Sequence, residues 1–532
     1  MSSMDSIIML STAAASGLLF QLLKLPPLLG FLAAGFAIHL FGIRDTPLID
    51  TLADLGVTLL LFSVGLKLNI RTLLKTEVYG TAGLHLVMNG LLFLVLLLGF
   101  KWLNIPHLSQ LSINSLSLLA FALSFSSTVF AVKMLQEKSE LQSLYGRVAI
   151  GILVMQDLFA VIYLSISSGQ TPSIWALSLL LLIPLRPLLL RLINRTGHGE
   201  VQLLIGFFLA FVMGYQWFDS VHIKPDLGAL LVGMLLAGTP QANSLSRDLF
   251  AFKELFLVAF FLSIGIHYFP TVDALLTAIL LTLLLPLKAI IYFFLMLIFR
   301  LRARTALMGT VSLANYSEFG LIVTAIAVKH SLLDGEWLAI LAIALSLSFI
   351  IIAPISQQAD QLYQRLQPIL QRMQRKRLHL DDLPIELGNM EIVILGMGRI
   401  GSGAYDLMSQ YYPDKVIGID TNLEKVQVNG DKGRVVIQGD ATDSDFWEKL
   451  VPSKTVKLIL LTMPHHNGNE YALTQLRRRH YPGKIAAICR YEEDEASLRE
   501  LGVDQVVNLY EEAGLGFAQH IYDTLDITPS HI

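Results

Sequence analysis

Between residues 5 and 356 the chain carries thirteen apolar runs joined by short polar connections, at 5–23, 27–43, 49–67, 77–100, 115–136, 145–168, 173–193, 200–219, 224–239, 249–268, 272–299, 304–329 and 336–356. As helix, at about 1.5 Å per residue, runs of this length approach the ~30 Å hydrocarbon layer of a bilayer. In lipid every backbone N–H and C=O must find its partner inside the protein, so helix is the structure open to such segments. Several runs fall short of ordinary spanning length and predict tilted, broken or re-entrant helices. With 54% hydrophobic and only 15% charged residues, the composition excludes an ordinary soluble enzyme. The first run lacks a basic leader and a cleavage site and reads as a retained helix. One cysteine, Cys489, excludes an internal disulfide or a cysteine-based metal cluster.

Orientation follows from the basic residues of the connections. Fifteen of them, from Lys24 to Arg304, fall on one side, and four, Arg44, Lys101, Lys224 and Lys329, on the other. This bias predicts a periplasmic N-terminus and, after an odd number of spans, a cytoplasmic C-terminal region.

The run 145–168 holds an acid, Asp157, near its middle, within Gly151-Ile152-Leu153-Val154-Met155-Gln156-Asp157. A carboxylate at that depth costs about 2.5–3.5 kcal/mol on insertion scales and marks an ion or proton pathway. The alternative is an acid neutralised by a buried partner, with no transport role. Two sequence matches at nearly one offset argue for the pathway. Leu29-Gly30-Phe31-Leu32-Ala33-Ala34-Gly35 resembles Leu227-Gly228-Ala229-Leu230-Leu231-Val232-Gly233, and Leu61-Phe62-Ser63-Val64-Gly65 resembles Phe261-Leu262-Ser263-Ile264-Gly265. They pair runs seven spans apart, which makes the halves opposite in topology, as in many secondary transporters. The same pairing sets Ser124-Phe125-Ser126-Ser127-Thr128 beside Asn315-Tyr316-Ser317-Glu318, two polar interruptions of apolar helices. Such breaks lend free backbone groups to a substrate near the midplane; ordinary helices with hydroxyls bonded back to their own turns are the alternative. Glu318 adds a second embedded acid. Lys288 lies too deep in its run to reach the surface, so it either pairs with an acid, Asp157 and Glu318 being the candidates, or loses its proton. His39, His85 and Asn89 read as packing contacts. A carboxylate that holds either a proton or a cation, but not both, exchanges one for the other. With Gln156 neutral, a single acid implies one proton per cation and electroneutral exchange.

Residues 357–389 are rich in Gln and Arg and read as a solvated or interfacial linker against anionic lipid. From Met390 to residue 532 strands alternate with helices. The strand Glu391–Leu395 runs into Gly396-Met397-Gly398-Arg399-Ile400-Gly401 and a helix, and the next strand ends at Asp420. Strand, glycine turn, helix and an acid about 20 residues on make a dinucleotide-binding set. Gly396, Gly398 and Gly401, with Arg399 and Ile400 between them, would admit a phosphate at the helix N-terminus. Asp420 would take ribose hydroxyls and repel a 2′-phosphate, favouring NAD(H) or AMP; a nucleotide-free Rossmann fold is the alternative. A second domain to present a hydride acceptor is not evident, so a sensor is expected rather than a dehydrogenase.

These residues carry a family resemblance. Ser126-Ser127-Thr128-Val129, Gln156-Asp157, Lys288 and Asn315-Tyr316-Ser317-Glu318-Phe319-Gly320-Leu321 resemble the Kef-type branch of the monovalent cation:proton antiporter-2 family. The resemblance implies an all-α membrane domain over 1–356 with a dimerising part and a mobile core holding two crossed discontinuous helices. It implies a potassium/proton antiporter of the bacterial inner membrane that exports K⁺ by alternating access. Asp157 would be the shared carboxylate for K⁺ and H⁺, with Gln156, Ser127 and Thr128 beside it, Lys288 as charge partner and Glu318 nearby. The segment 390–532 resembles the KTN (RCK, TrkA-N) regulatory domain, and Gly439-Asp440-Ala441-Thr442 matches its third-strand motif, which adds Asp440 and Ala441 to the nucleotide contacts. A homodimer through both domains is implied; membrane lipid is the surrounding partner, and no nucleic acid is expected. A Na⁺/H⁺ antiporter of the same fold and a KTN-gated potassium channel are the alternatives, though a channel needs a TVGYG-like filter, which the sequence lacks. The family's glutathione gating and ancillary regulatory protein rest on an acidic HELET-like segment and an acidic pair after the fourth strand. Here those places read Asn243-Ser244-Leu245-Ser246-Arg247-Asp248 and Thr462-Met463-Pro464-His465-His466-Asn467. Arg490 stays as a candidate contact for glutathione or nucleotide.

Overall fold

Every one of the thirteen apolar runs contains helix. The structure, a computed structural model, describes residues 3–23, 26–43, 47–67, 73–138, 140, 143–167, 173, 178–179, 181–195, 199–221, 225–379, 382–442, 444–450 and 455–525. Lys24, Arg44, Arg71 and Lys224, counted above for orientation, lie outside the described residues, as does much of 173–181. The chain divides into two compact units, Met1–Leu135 with Tyr145–His379, and Gln136–Leu144 with Leu380–Ile532.

The helices of the apolar part are α1 Ser3–Leu22, α2 Pro27–Leu40, α3 Pro47–Lys67, α4 Thr76–Trp102, α5 Ile113–Ser124, α6 Thr128–Glu137, α7 Leu144–Ser167, α8 Leu182–Arg195 and α9 Glu200–Ser220. They continue as α10 Pro225–Leu236, α11 Pro240–Asp248, α12 Phe250–His267, α13 Val272–Thr282, α14 Leu285–Ile298, α15 Ala303–Leu313, α16 Glu318–Lys329, α17 Glu336–Gln357 and α18 Ala359–Met373. By length and composition, five stretches among the described residues can cross a bilayer: Thr76–Trp102, Ile113–Gln136, Glu200–Ser220, Val272–Ile298 and Glu336–Gln357. The pair α15 and α16, bent by 41°, makes a sixth. Between α13 and α14 the run 272–299 breaks just before Pro286, whose ring removes an N–H that a continuous helix would need.

The internal repeat has a physical meaning in the packing. A Cβ at Gly35 of α2 would lie 2.5 Å from the Leu262 carbonyl oxygen and 2.7 Å from the Gly265 Cα of α12. A Cβ at Gly65 of α3 would lie 2.3 Å from the Leu230 carbonyl oxygen and 3.0 Å from the Gly233 Cα of α10. Moving Gly35 along by the first repeat offset gives Gly233, and moving Gly65 by the second gives Gly265, so the repeat turns one contact into the other. The matching glycines are where helices from the two halves meet backbone to backbone.

The stretch read as a solvated linker holds a further helix, α18, docked on the start of α15. Arg304 Nη2 donates to Asp360 Oδ1 at 2.8 Å, the Ala303 N–H donates to Gln374 Oε1 at 2.9 Å, and the His379 N–H donates to the Arg300 carbonyl at 2.8 Å.

The second unit contains a six-stranded parallel sheet, β1 Ile392–Leu395, β2 Val416–Asp420, β3 Val436–Gln438, β4 Leu458–Leu461, β5 Lys484–Cys489 and β6 Gln505–Asn508, in the order β3-β2-β1-β4-β5-β6. Helices α19 Arg399–Tyr411, α20 Leu423–Asp431, α21 Ser444–Lys449, α22 His466–Arg478, α23 Glu492–Glu500 and α24 Leu509–Leu525 alternate with the strands. Parallel strands are covered on both faces, which is why β1 and β2 are buried throughout. Trp447, Leu461, Leu473 and Ile485 centre one face of the core. Cys489 lies in that core, where burial pushes its thiol up.

Candidate ion site and nucleotide turn

Two helix breaks face one another. The first separates α5 from α6 at Phe125, Ser126 and Ser127, where the chain is extended at Phe125. The second separates α15 from α16 at residues 314–317. In each, a serine caps the outgoing helix: Ser127 Oγ accepts from the Phe130 N–H at 3.2 Å, and Ser317 Oγ accepts from the Phe319 N–H at 3.1 Å. The hydroxyl-rich breaks therefore satisfy the free N–H groups of the new helices. The breaks are joined directly, since the Ser127 N–H donates to Asn315 Oδ1 at 2.7 Å and Thr128 Oγ1 donates to Glu318 Oε1 at 3.2 Å. Gly320 permits the crossing: a Cβ there would lie 2.6 Å from the Ala122 carbonyl oxygen.

Gln156 braces the first break from α7. Its Oε1 accepts from the Ser126 N–H at 3.0 Å, and its Nε2 donates to the Ser124 carbonyl at 3.3 Å and to Tyr292 Oη at 2.7 Å. The amide thus replaces helix hydrogen bonds that the break gives up. Asp157, 1% exposed, follows Gln156 in the chain, and Glu318, also 1% exposed, opens α16, where the helix dipole favours an anion. Of the expected set, Gln156, Ser127, Thr128, Glu318 and Lys288 meet at one crossing, and Asp157 is buried next to Gln156 in the chain.

Lys288 was expected either to pair with an acid, Asp157 and Glu318 being the candidates, or to lose its proton. Its Nζ donates to the carbonyls of Leu123 at 3.3 Å, Phe125 at 2.5 Å and Asn315 at 2.7 Å, and lies 5.2 Å from the centre of the Tyr316 ring. Three donors meet three carbonyls left over where α5 and α15 end. The geometric reason is the break itself: free carbonyls at two helix C-termini form a concentration of partial negative charge that attracts the nearest cation.

Sequence reasoning left Tyr292, Ser126 and Asn315 out of the named site and read His85 and Asn89 as packing contacts. Asn89 Nδ2 donates to Ser124 Oγ at 2.9 Å, and the His85 ring stacks on Tyr292 with centroids 3.5 Å apart. A signal was present. Tyr292 lies four residues after Lys288, and Thr81, His85 and Asn89 recur every fourth residue, so each set shares one helix face. His39, in contrast, serves packing, with Nδ1 2.5 Å from the Ile266 carbonyl and the ring stacked on Phe269.

In the second unit the glycine turn follows β1. Gly396 has φ +100°, open to glycine alone among common residues, and a Cβ at Gly401 would lie 1.9 Å from the Gly396 carbonyl oxygen. At Gly398, which precedes the first turn of α19, a Cβ would meet nothing within 4 Å, so the helix N-terminus is open to a ligand. Arg399 and Ile400 are exposed there. Asp420 closes the turn: Oδ2 accepts from the Met397 N–H at 2.8 Å and Oδ1 from the Asn422 N–H at 2.9 Å. Lys425 Nζ lies 4.0 Å from Oδ2, and Oδ1 keeps a second lone pair for a hydroxyl. Asp440 is engaged in its own turn through the Thr442 N–H and hydroxyl, and Ala441 is buried, its carbonyl accepting from Trp447 Nε1. Where the acidic pair was missing, Thr462 Oγ1 donates to the Gly396 carbonyl at 2.7 Å. Arg434 grips Asp406 of α19 with two hydrogen bonds, 2.7 and 2.6 Å, and holds that carboxyl below the usual carboxylate range. Arg490 lines a small cavity with His466, Asn469 and Asp494.

The sodium/hydrogen exchanger transmembrane model matches residues 7–358. The chain belongs to the sodium/hydrogen exchanger family. Residues 392–509 of this exchanger match the TrkA-N domain. The glutathione-regulated potassium-efflux system protein KefC of Shigella flexneri is 29% identical over 538 residues, covering 94% of this chain and 82% of that protein. KefC of Escherichia coli K12 gives the same identity and coverage. Among solved structures, the sodium proton antiporter MjNhaP1 from Methanocaldococcus jannaschii is 12% identical, covers 68% of the exchanger and 97% of its own chain, and has a TM-score of 0.49.

Proposed function

We propose that this exchanger is a potassium/proton antiporter of the bacterial inner membrane, moving K⁺ outward by alternating access under the control of a nucleotide on its cytoplasmic domain. The observation that carries the reading is the docking of the Asp157 helix onto the first break through Gln156, with the second break joined to the first through Ser127 and Asn315. It supports an exchange site in which the carboxylate carried by that helix would work with backbone groups freed where two helices break, the arrangement that lends oxygen ligands to a cation near the bilayer midplane. K⁺ as cargo is supported by the potassium-efflux relatives; Na⁺ is the second reading, favoured by the family description. Ser127 and Thr128 would border the cation, Glu318 would hold Thr128 in place, and Lys288 would hold the crossing. The domain limits 1–356, 357–389 and 390–532, and a dimer through both domains, belong to the same proposal.

The exchanger reconstituted in liposomes decides between the ions. A K⁺ gradient should drive proton flux at least about tenfold faster than an equal Na⁺ gradient, and the rate should not respond to voltage at fixed chemical gradients. Equal rates would remove K⁺ specificity, and a voltage-dependent rate would remove the one-for-one stoichiometry.

NAD(H) or AMP fits the turn: the phosphate at the N–H groups of α19 beside Gly398, Arg399 and Ile400, the ribose at Asp420, with Asp440 and Ala441 following the neighbouring strand. When bound, such a nucleotide supplies negative charge and a rigid bridge between β1 and β2. Gly401→Ala in the full-length protein should weaken AMP and NADH binding by about 100-fold or more, because the added methyl forces the glycine turn apart. Undiminished binding in a calorimetric titration would exclude this turn as the site.

A further inference from the structure

One fully buried hydroxyl at the crossing has a hydrogen-bond direction fixed by counting protons. Ser126 Oγ has a single proton, and it goes to the Leu313 carbonyl at 2.7 Å, on the second broken helix. At 3.0 Å from Tyr292 Oη, Ser126 must therefore accept, so the phenol proton of Tyr292 points to Ser126. The phenol oxygen in turn accepts from Gln156 Nε2 at 2.7 Å, while Gln156 Oε1 accepts from the Ser126 N–H. The result is an oriented chain, Gln156 to Tyr292 to Ser126 to Leu313, closed on itself at Ser126. Gln156 and Tyr292 are 0% exposed and Ser126 is 1% exposed.

The ring that carries this phenol is held from behind. His85 of α4 is coplanar with it to within 6°, centroids 3.5 Å apart, and is itself 0% exposed. Neither nitrogen of His85 meets a hydrogen-bond partner in normal geometry among the described residues; the ring reaches the site through the stack and through its closeness to Lys288. One turn further along α4, Asn89 holds Ser124. Three helices thus converge on residues 124–126 of a single break.

We propose that Tyr292, backed by His85, is a specificity-determining positioning residue: it fixes the spacing between the Asp157 helix and both breaks, and through that spacing the preference between K⁺ and Na⁺. The two cations use the same oxygen ligands and differ in size by a fraction of an ångström, so discrimination depends on how firmly the ligating backbone is placed. Lys288 holds carbonyls at the ends of α5 and α15; the Tyr292 chain links those ends to α7. This rests on the reading of Asp157 as the exchange site.

The test is Tyr292→Phe in the reconstituted full-length protein, with Ser126→Ala as the second variant. Phe keeps the ring and its stack and deletes only the hydroxyl, leaving Gln156 and Ser126 one partner short; Ala cuts the chain one link later. Each should raise the K⁺ concentration for half-maximal exchange about 5- to 10-fold and move the K⁺/Na⁺ preference toward equality, with the maximal rate changed less than about twofold. A role confined to stability would lower the amount of folded protein and leave the ion ratio where it was. If Tyr292→Phe fails to assemble, Ser126→Ala decides. An unchanged ion ratio in an assembled variant overturns the inference while the exchange reading survives, provided Asp157→Asn is inactive; an active Asp157→Asn removes the exchange reading itself.

Discussion

Asp157→Asn is expected to abolish exchange, lowering cation-driven proton flux by at least about 100-fold, the lower end of what a positioned proton-transfer group contributes. The amide matches the carboxyl in size, so packing inside α7 is preserved, but it neither takes up nor releases a proton and carries no charge to balance a cation. The hydrogen bonds that brace the first break run through Gln156, Tyr292 and Lys288, and the breaks are joined through Asn315. The variant should therefore assemble with a thermal midpoint close to that of the parent. Two measurements check it, proton flux in liposomes under a K⁺ gradient and thermal unfolding in detergent. Normal flux from a folded Asp157→Asn protein would place the exchange site elsewhere.

Lys288→Met is expected to fail differently, by losing the fold of the crossing. Removing Nζ leaves the carbonyls of Leu123, Phe125 and Asn315 without their donor in a site closed to solvent. Each unsatisfied buried acceptor costs about 1–3 kcal/mol, and the three together cost on the order of 3–5 kcal/mol after relaxation. That is a large part of the ~5–15 kcal/mol by which proteins are stable. Folded yield and thermal midpoint should both drop, whereas Asp157→Asn leaves them in place. A double-mutant cycle separates this from a Lys288–Asp157 charge pair. If the two residues were paired, losing Asp157 would relieve the loss of Lys288; with Lys288 bound to carbonyls, the stability effects add to within about 0.5 kcal/mol. Strong coupling in the cycle would restore the acid–lysine pair.

The sequence was enough to name candidate residues but not their bonds. Asp157, Glu318 and Lys288 stand out because ionisable groups are rare in apolar runs, and the breaks stand out because hydroxyls and an amide interrupt those runs. Tyr292 does not stand out, since a tyrosine in an apolar helix is chemically ordinary until its hydroxyl has partners. His85 and Asn89 were legible only as a polar stripe, whose contact with the site depends on which helix α4 packs against. In the second unit the glycine turn was legible because its residues are neighbours in the chain. That Asp420 closes the turn through the Met397 N–H was not, because that bond joins the end of β2 to the turn after β1.

By itself the sequence determined the helical membrane part, the repeat with its glycines, the buried acids and the nucleotide turn with its sheet. All of these follow from length, period and local chemistry, which are written along the chain. Only the tertiary structure decided where the three protons of Lys288 go. Their acceptors are main-chain carbonyls, a group that every residue carries, so nothing in the letters of the sequence distinguishes Leu123, Phe125 and Asn315 until two broken helices are brought together around them.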